Sequence, residues 1–236
     1  MMLPVAILAG GLATRLRPMT NSVPKSLLSI AGRPFIFHQL ELLKNQGIDR
    51  VVICVGHLGD RVKAAVGDGR ALGLAIEYSF DGGELLGTGG ALKRALSLLG
   101  DEFFVLHGDS YLPCSFAAIQ SAYEAAQRPA LMTVLRNDNH WDKSNVLFRN
   151  GEPIIYDKKS PRVDMSHIDF GLYVLSSDVF LTYGDLKVID LADICQELSK
   201  NGQLAAVEVS ERFYEIGSRQ GIRDTEEFLS RQLVHA

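Results

Sequence analysis

The sequence predicts an α/β fold: a mixed, mostly parallel sheet flanked by helices, with a small β-rich extension toward the C-terminus. Three observations carry this. Over residues 1–136, short apolar runs alternate with segments of helical spacing, the rhythm of a parallel sheet with helical crossovers. The runs are continuous rather than alternating: Val51, Val52, Ile53, Cys54 and Val55 suit a strand covered on both faces. After Arg136 the rhythm changes to short strands with brief connections.

The elements follow in order. Residues 3–9 read as a first buried strand that runs straight into Gly10 and Gly11. Residues 35–46 have helical spacing, with Phe37, Leu40 and Leu43 toward one side and Gly47 as a C-terminal stop. A strand at 50–55, a helix at 60–66 and a strand at 75–79 come next. The helix at 88–99 opens on Gly87, Thr88, Gly89 and Gly90, with Thr88 placed to cap it. Strand 103–106, helix 115–126 and strand 130–135 complete the first part. Strands are expected at 145–148, 153–156 and 169–175, then helix 191–200, strand 204–209 and helix 220–233. No repeat or linker interrupts the chain, and its 236 residues suit one large domain.

Composition narrows the function. The hydrophobic fraction of 47% suits a buried core. Net charge is −4 with no basic block, which argues against nucleic acid as a partner. Positive charge is local, in Arg15, Arg17, Lys25 and Arg33. Three widely spaced cysteines, Cys54, Cys114 and Cys195, point to a reducing compartment, and Cys54 reads as a small core residue. The histidines stand singly, without zinc spacing. The first nine residues do not read as a secretory signal, and no apolar stretch approaches the ~20 residues of a membrane span. The expectation is a cytoplasmic protein with no membrane partner; a homo-oligomer stays open.

The most informative segment is Leu8-Ala9-Gly10-Gly11-Leu12-Ala13-Thr14-Arg15-Leu16-Arg17-Pro18, followed by Pro24-Lys25-Ser26-Leu27. Gly10 and Gly11 permit positive φ and leave no side chain between backbone N–H groups and an anion. Successive N–H groups around such a turn form an anion-binding concavity. Arg15 adds a bidentate guanidinium and Lys25 a point charge. The loop is not a Walker loop, which needs Gly-Lys-Ser/Thr. It is not a dinucleotide fingerprint either: the third glycine is missing, and Cys54-Val55-Gly56-His57 offers no acid at the end of the second strand. A Rossmann oxidoreductase is therefore disfavoured. At the end of strand 103–106, Gly108-Asp109 places a carboxylate where open α/β sheets bind ligands; the plainer reading is an Asx turn or helix cap.

The pattern Leu-Ala-Gly-Gly-x-x-Thr-Arg-Leu-Arg-Pro, then Pro-Lys-Ser-Leu, resembles the signature of the sugar-1-phosphate nucleotidyltransferases, and the resemblance extends over nearly the whole chain. It implies a Rossmann-like sheet of the nucleotide-diphospho-sugar transferase fold. Residues 1–136 would be the nucleotide-binding half and 137–236 the sugar-binding half. It implies a nucleoside triphosphate and a sugar 1-phosphate as substrates and Mg²⁺ as cofactor. Leu8, Ala9, Gly10, Gly11, Thr14 and Arg15 would embrace the triphosphate, with Lys25 near the reacting phosphates. Gly87, Thr88, Gly89 and Gly90 would lie against base and ribose. Relatives often carry a Gln or Glu shortly before that segment to read the base; here the stretch is Asp81-Gly82-Gly83-Glu84, which leaves the matching side chain open.

Asp109 would anchor the metal. Glu215, in Tyr214-Glu215-Ile216-Gly217, stands where relatives carry Asp-x-Gly and would complete the metal site. Lys158, with Lys159 the alternative, would hold the sugar phosphate, and Asn145, Asp169 and Gly171 would face the sugar. Arg15, Lys25 and Asp109 are the catalytic candidates. The combination of Leu86-Gly87-Thr88-Gly89-Gly90-Ala91, the short length and His107-Gly108-Asp109-Ser110 resembles the small heptose-1-phosphate guanylyltransferases most and the short N-acetylmuramate-1-phosphate uridylyltransferases next. His107, where relatives carry Asn or Ala, reads as a local variation. Of another class is a nucleotide-sugar-binding regulatory protein with a weakened site, for which Glu215 and Asn145 are the support.

Overall fold

The structure, a computed structural model, describes residues 1–149, 152 and 154–234. The first strand, β1 (Val5–Leu8), leads into a loop closed by a hairpin of β2 (Ser29–Ile30) and β3 (Arg33–Pro34). Then come α1 (Phe35–Asn45), β4 (Arg50–Val55), α2 (Gly59–Val66), β5 (Ala75–Phe80), α3 (Gly87–Leu99) and β6 (Glu102–His107). Next are β7 (Ser110–Tyr111), α4 (Phe116–Ala126), β8 (Ala130–Arg136), β9 (Val146–Leu147), β10 (Ile155–Tyr156) and β11 (His167–Ser176). The chain ends with α5 (Leu191–Lys200), β12 (Leu204–Val209), β13 (Tyr214–Glu215) and α6 (Arg219–Val234). The expected elements are all present, 50–55, 191–200 and 204–209 to the residue and the others with shifted ends, save that residue 153 of the expected strand 153–156 lies outside the described residues.

Among the described residues nine strands join one mixed sheet, with the path β10-β9-β11-β6-β1-β4-β5 and β8 and β12 on the other side of β11. β4, β5 and β6 run parallel with β1, and β12 with β8, whereas β11 is antiparallel to its neighbours β6, β8 and β9. The strand code is visible in the burial. Val5 and Ile7, Val51, Ile53 and Val55, and Phe104 and Leu106 enter one core with residues of α1, α2 and α4. Ala6, Val52, Cys54, Phe103 and Val105 enter a second core with α3 and α5. Successive side chains point to opposite faces, and both faces are covered, so the runs had to be apolar throughout. A small third cluster seats α6 through Leu229 on Ile30, Phe35 and Ile216.

The helices start and stop for local reasons. Ser115 accepts from Ala118 N–H at the start of α4, and Asp190 accepts from Ala192 N–H at the start of α5. Gly47, at φ +79°, ends the α1 region as expected. The β2–β3 hairpin escaped the sequence reading. Its turn residues Ala31 and Gly32 both have positive φ, a conformation usually announced by Asn-Gly.

β1, β4, β5 and β6 point the same way, so their carboxyl ends gather at one edge of the sheet. β11 has a register shift between Asp169 and Tyr173, with Gly171 at φ +96° inside it. Its start pairs with β9 and its end with β6. The change of partner opens a gap beside the carboxyl end of β6. Among the described residues no helix is long and apolar enough to cross a membrane.

Phe104 is fully buried and packs on Phe116 of α4, ring centroids 5.2 Å apart. Phe104→Ala is expected to cost about 3–5 kcal/mol in urea unfolding; a loss under about 1 kcal/mol would show this core able to collapse around the gap.

Candidate active site

The carboxyl ends of β1, β4, β5 and β6 enclose a cavity of about 240 Å³. Leu8, Ala9, Gly10, Gly11, Lys25, Asp81, Gly87, Thr88, His107 and Asp109 are among its walls. The glycine loop is built differently from the sequence expectation. Neither Gly10 nor Gly11 has positive φ; Ala13, at φ +48°, takes the left-handed turn instead. Gly10 is needed for close approach. A Cβ there would sit 3.0 Å from Gly56 N and 3.3 Å from an Asp81 carboxylate oxygen. Gly11 faces open space, with nothing within 4 Å of where its Cβ would be. The loop is held from below by buried Leu16 and by Thr20, whose hydroxyl donates to Ala13 O at 2.9 Å. Thr14 and Arg15 are exposed and outside the cavity wall. Arg15 turns toward Glu215: a Cβ on Gly217 would lie 3.4 Å from Arg15 Nη2 and 3.2 Å from Glu215 Oε2.

The Gly87–Gly90 segment divides its duties. Gly87 and Thr88 line the cavity, but Gly89 and Gly90 do not. They make room for the strap at 187–190. Gly89 and Gly90 N–H donate to Ile189 O at 2.9 and 3.1 Å, and a Cβ on Gly90 would collide with Lys187 O. Thr88 does not cap α3. Its hydroxyl accepts from Leu191 N–H at 2.8 Å and donates to Asp190 at 2.9 Å, so it secures the start of α5.

Asp81, left open by the sequence, is 7% exposed at the back of the cavity. Burial pushes its carboxyl above the ordinary range, with Leu86 N–H and Arg94 opposing.

Lys25 Nζ lies 2.6 Å from Asp109 Oδ2, both side chains part-buried. Burial would raise the Asp109 carboxyl, but the charges of Lys25 and His107 outweigh it and hold it below the usual range. Glu215 is brought alongside because β13 pairs with β7, Glu215 opposite Ser110, and Ile216 N–H donates to Asp109 O at 2.9 Å. Burial and then the Asp109 charge push Glu215 up, against Arg15 and Lys25. Two adjacent carboxylates, one disfavoured in its charged form by the other, suit a hard divalent cation that takes further ligands from phosphate. Among the described residues no group of three or more His, Cys, Asp or Glu side chains could hold a metal alone.

A second cavity, about 210 Å³, fills the gap beside β11. Asn145, Lys158, Asp169, Gly171 and Glu215 line it with Trp141, Asp142 and Tyr173. Asp169 is fixed by Gly171 N–H at 3.0 Å and Tyr173 OH at 2.6 Å. Asn145 Oδ1 in turn accepts from Asp169 N–H at 3.0 Å. The lysine pair separates: Lys158 faces the cavity, while Lys159 pairs with Asp193 at 2.5 Å. His107 alone, among the lining residues, belongs to both cavities.

The sequence profile described as nucleotidyl transferase matches residues 5–232. The chain belongs to the nucleotidyl transferase family. A curated member, D-glycero-alpha-D-manno-heptose 1-phosphate guanylyltransferase of Campylobacter jejuni, is 28% identical over 89% of this chain and 93% of its own length. The beta catalytic subunit of mannose-1-phosphate guanylyltransferase from Xenopus tropicalis is 31% identical over 89% of this chain but 60% of its own. N-acetylmuramate alpha-1-phosphate uridylyltransferase of Neisseria meningitidis is 42% identical over 49% of this chain and 51% of its own. In fold, a crystal structure of a putative glucose-1-phosphate thymidylyltransferase from Bacillus anthracis superposes with a TM-score of 0.83, at 24% identity over 97% of this chain and 95% of its own. HddC of Yersinia pseudotuberculosis, solved with GMP-PN, gives 0.78 at 23% identity over 97% of this chain and 100% of its own.

On these two cavities the sequence reading left Asp81 open and missed Trp141, Asp142 and the double position of His107. For His107 the signal was present in its place at a strand end. Trp141 lies on an irregular loop that no periodicity marks. Gly90→Ala is expected to push the 187–190 strap away and to destabilise the fold by roughly 1–3 kcal/mol, measured by chemical denaturation. An unchanged midpoint would mean the strap is free to shift.

Proposed function

We propose that this chain joins a nucleoside triphosphate to a sugar 1-phosphate, giving a nucleoside diphosphate sugar and pyrophosphate. The observation that carries the reading is the pair of adjoining cavities with Lys25, His107, Asp109 and Glu215 along their boundary. The first cavity is lined by residues 8–109 and the second by residues 107–215, which supports a nucleotide half followed by a sugar half.

In the reaction a sugar-phosphate oxygen attacks the α-phosphorus in line, a new P–O bond forms, and the bond to the β-phosphate breaks. The nucleophile is already an anion, so no general base is needed. The protein must hold two polyanions together and neutralise the charge that builds up. Lys25 would leave Asp109 to meet the α-phosphate and the incoming phosphate. Arg15, on its exposed loop, would take the leaving pyrophosphate. Lys158 would hold the sugar phosphate. Asp109 and Glu215 would hold Mg²⁺, which when bound supplies charge neutralisation at the α-phosphate.

For the base, guanine is the reading best supported. Asp81 offers only acceptors when ionised, and guanine presents two adjacent donors, N1–H and the 2-amino group, where uracil and thymine present one. The heptose 1-phosphate substrate rests on the C. jejuni relative, and a uridylyl- or thymidylyltransferase is the alternative. A matrix of nucleoside triphosphates against sugar 1-phosphates, read by pyrophosphate release with Mg²⁺, tests class and pair together. No release in any combination would leave the binding or regulatory reading.

Arg15→Ala and Lys25→Ala are each expected to lower kcat by roughly 10²–10³ while the fold survives. Near-normal turnover in both would sink the assignment. Asp81→Asn is expected to lower kcat/KM for GTP by roughly 10–100-fold, the loss of one hydrogen bond to a charged group, and to leave UTP nearly unaffected. Equal losses for both nucleotides would remove Asp81 as the base reader.

A further inference from the structure

Gln39 lies outside both cavities yet is tied to the turn that carries Asp109. It sits within α1 and is 1% exposed. Its amide nitrogen donates to His107 O at 2.9 Å and to Ser110 O at 2.7 Å. Those carbonyls bracket Gly108 and Asp109: the first closes β6 and the second opens β7. The opposite side of the turn has no slack. Gly108 N–H donates to Leu8 O at 2.9 Å, and a Cβ on Gly108 would lie 3.0 Å from Leu8 O. Ser110 also stands opposite Glu215 in the β7–β13 pair. One amide therefore sets the span of the turn that presents Asp109 and that passes into the strand paired with Glu215.

The other half of that amide is idle. Gln39 Oε1 is buried and has no partner. An orphaned buried acceptor weakens a fold relative to an apolar side chain of similar shape, so packing of α1 does not account for a glutamine here. Its donor half, aimed at the two carbonyls, does.

We propose that Gln39 is a positioning residue that fixes the Asp109 carboxylate, and through β7 the Glu215 carboxylate, for cation and phosphate. The inference rests on the nucleotidyl-transfer reading above. Two variants test it. Gln39→Met keeps an unbranched stem and removes both donors; Gln39→Asn keeps the amide on a shorter stem that cannot span the two carbonyls. In either, kcat and kcat/KM are expected to fall together by roughly 10–100-fold, the pattern of an interaction that matters in the transition state. Mn²⁺ affinity, read by water-proton relaxation with a non-hydrolysable nucleoside triphosphate analogue present to complete the cation's ligands, is expected to weaken roughly tenfold. Each variant leaves a carbonyl without its donor, so the melting temperature is expected to fall by a few degrees, and rates are compared where each variant is fully folded. If Gln39→Met does not fold, Gln39→Asn carries the test. A folded variant with wild-type kcat and wild-type Mn²⁺ affinity overturns the proposal, as does an activity loss that only tracks the unfolded fraction. Should the wild type turn over no substrate pair, the functional reading fails, and the Mn²⁺ titration still decides the role of Gln39.

Discussion

The register of β1 between β4 and β6 is the constraint on which the site depends. β1 is four residues long, and Val5, Ala6 and Ile7 are fully buried. Leu8 stands level with Cys54 on one side and His107 on the other. The three strands thus end in step, and the chain must leave the sheet at three neighbouring points. Gly10, Gly56 and Gly108 fill those exits because the backbones there are too close for a side chain. A one-residue slip would turn every side chain of β1 to the opposite face and carry the glycine loop away from Asp109.

Around that frame the charges are sorted by environment. Asp109 and Glu215 are neighbours of like charge, yet they are driven in opposite directions. Lys25 and His107 overcome burial at Asp109, whereas burial and Asp109 itself outweigh Arg15 and Lys25 at Glu215. Ionisable groups pushed apart in this way mark a place where charge is to be handled. The ion pair Lys25–Asp109 is the local balance that an incoming polyanion would rearrange.

Most of the sheet was legible because both of its faces are covered. A strand buried twice leaves a continuous apolar run, and helices between such runs show their spacing openly, as 50–55 and 191–200 do to the residue. The reaction class was legible in a motif that keeps Gly10, Gly11, Arg15 and Lys25 within one loop and resembles the family's signature, with Gly108-Asp109 at the end of β6 beside it. What was hidden depends on distance in the chain. Gly89 and Gly90 serve a strap about a hundred residues later, and Thr88 serves the start of α5 rather than its own helix. Two-residue strands such as β7 and β13 exist only as a pair, so neither has a pattern of its own. The use of Gly10 was misread for a related reason: a glycine that avoids a clash looks in sequence like one that makes a turn.

Thr88 forms part of the wall of the first cavity and also secures the first turn of α5. At the far end of the same helix, Ser199 donates to Ile154 O and accepts from Tyr156 N–H. Tyr156 lies two residues before Lys158 on the other cavity. A ten-residue helix is therefore a common beam under two walls built from separate stretches of chain. Tilting or lengthening it would displace both walls at once, so neither pocket can be rebuilt for a new guest without refitting its neighbour.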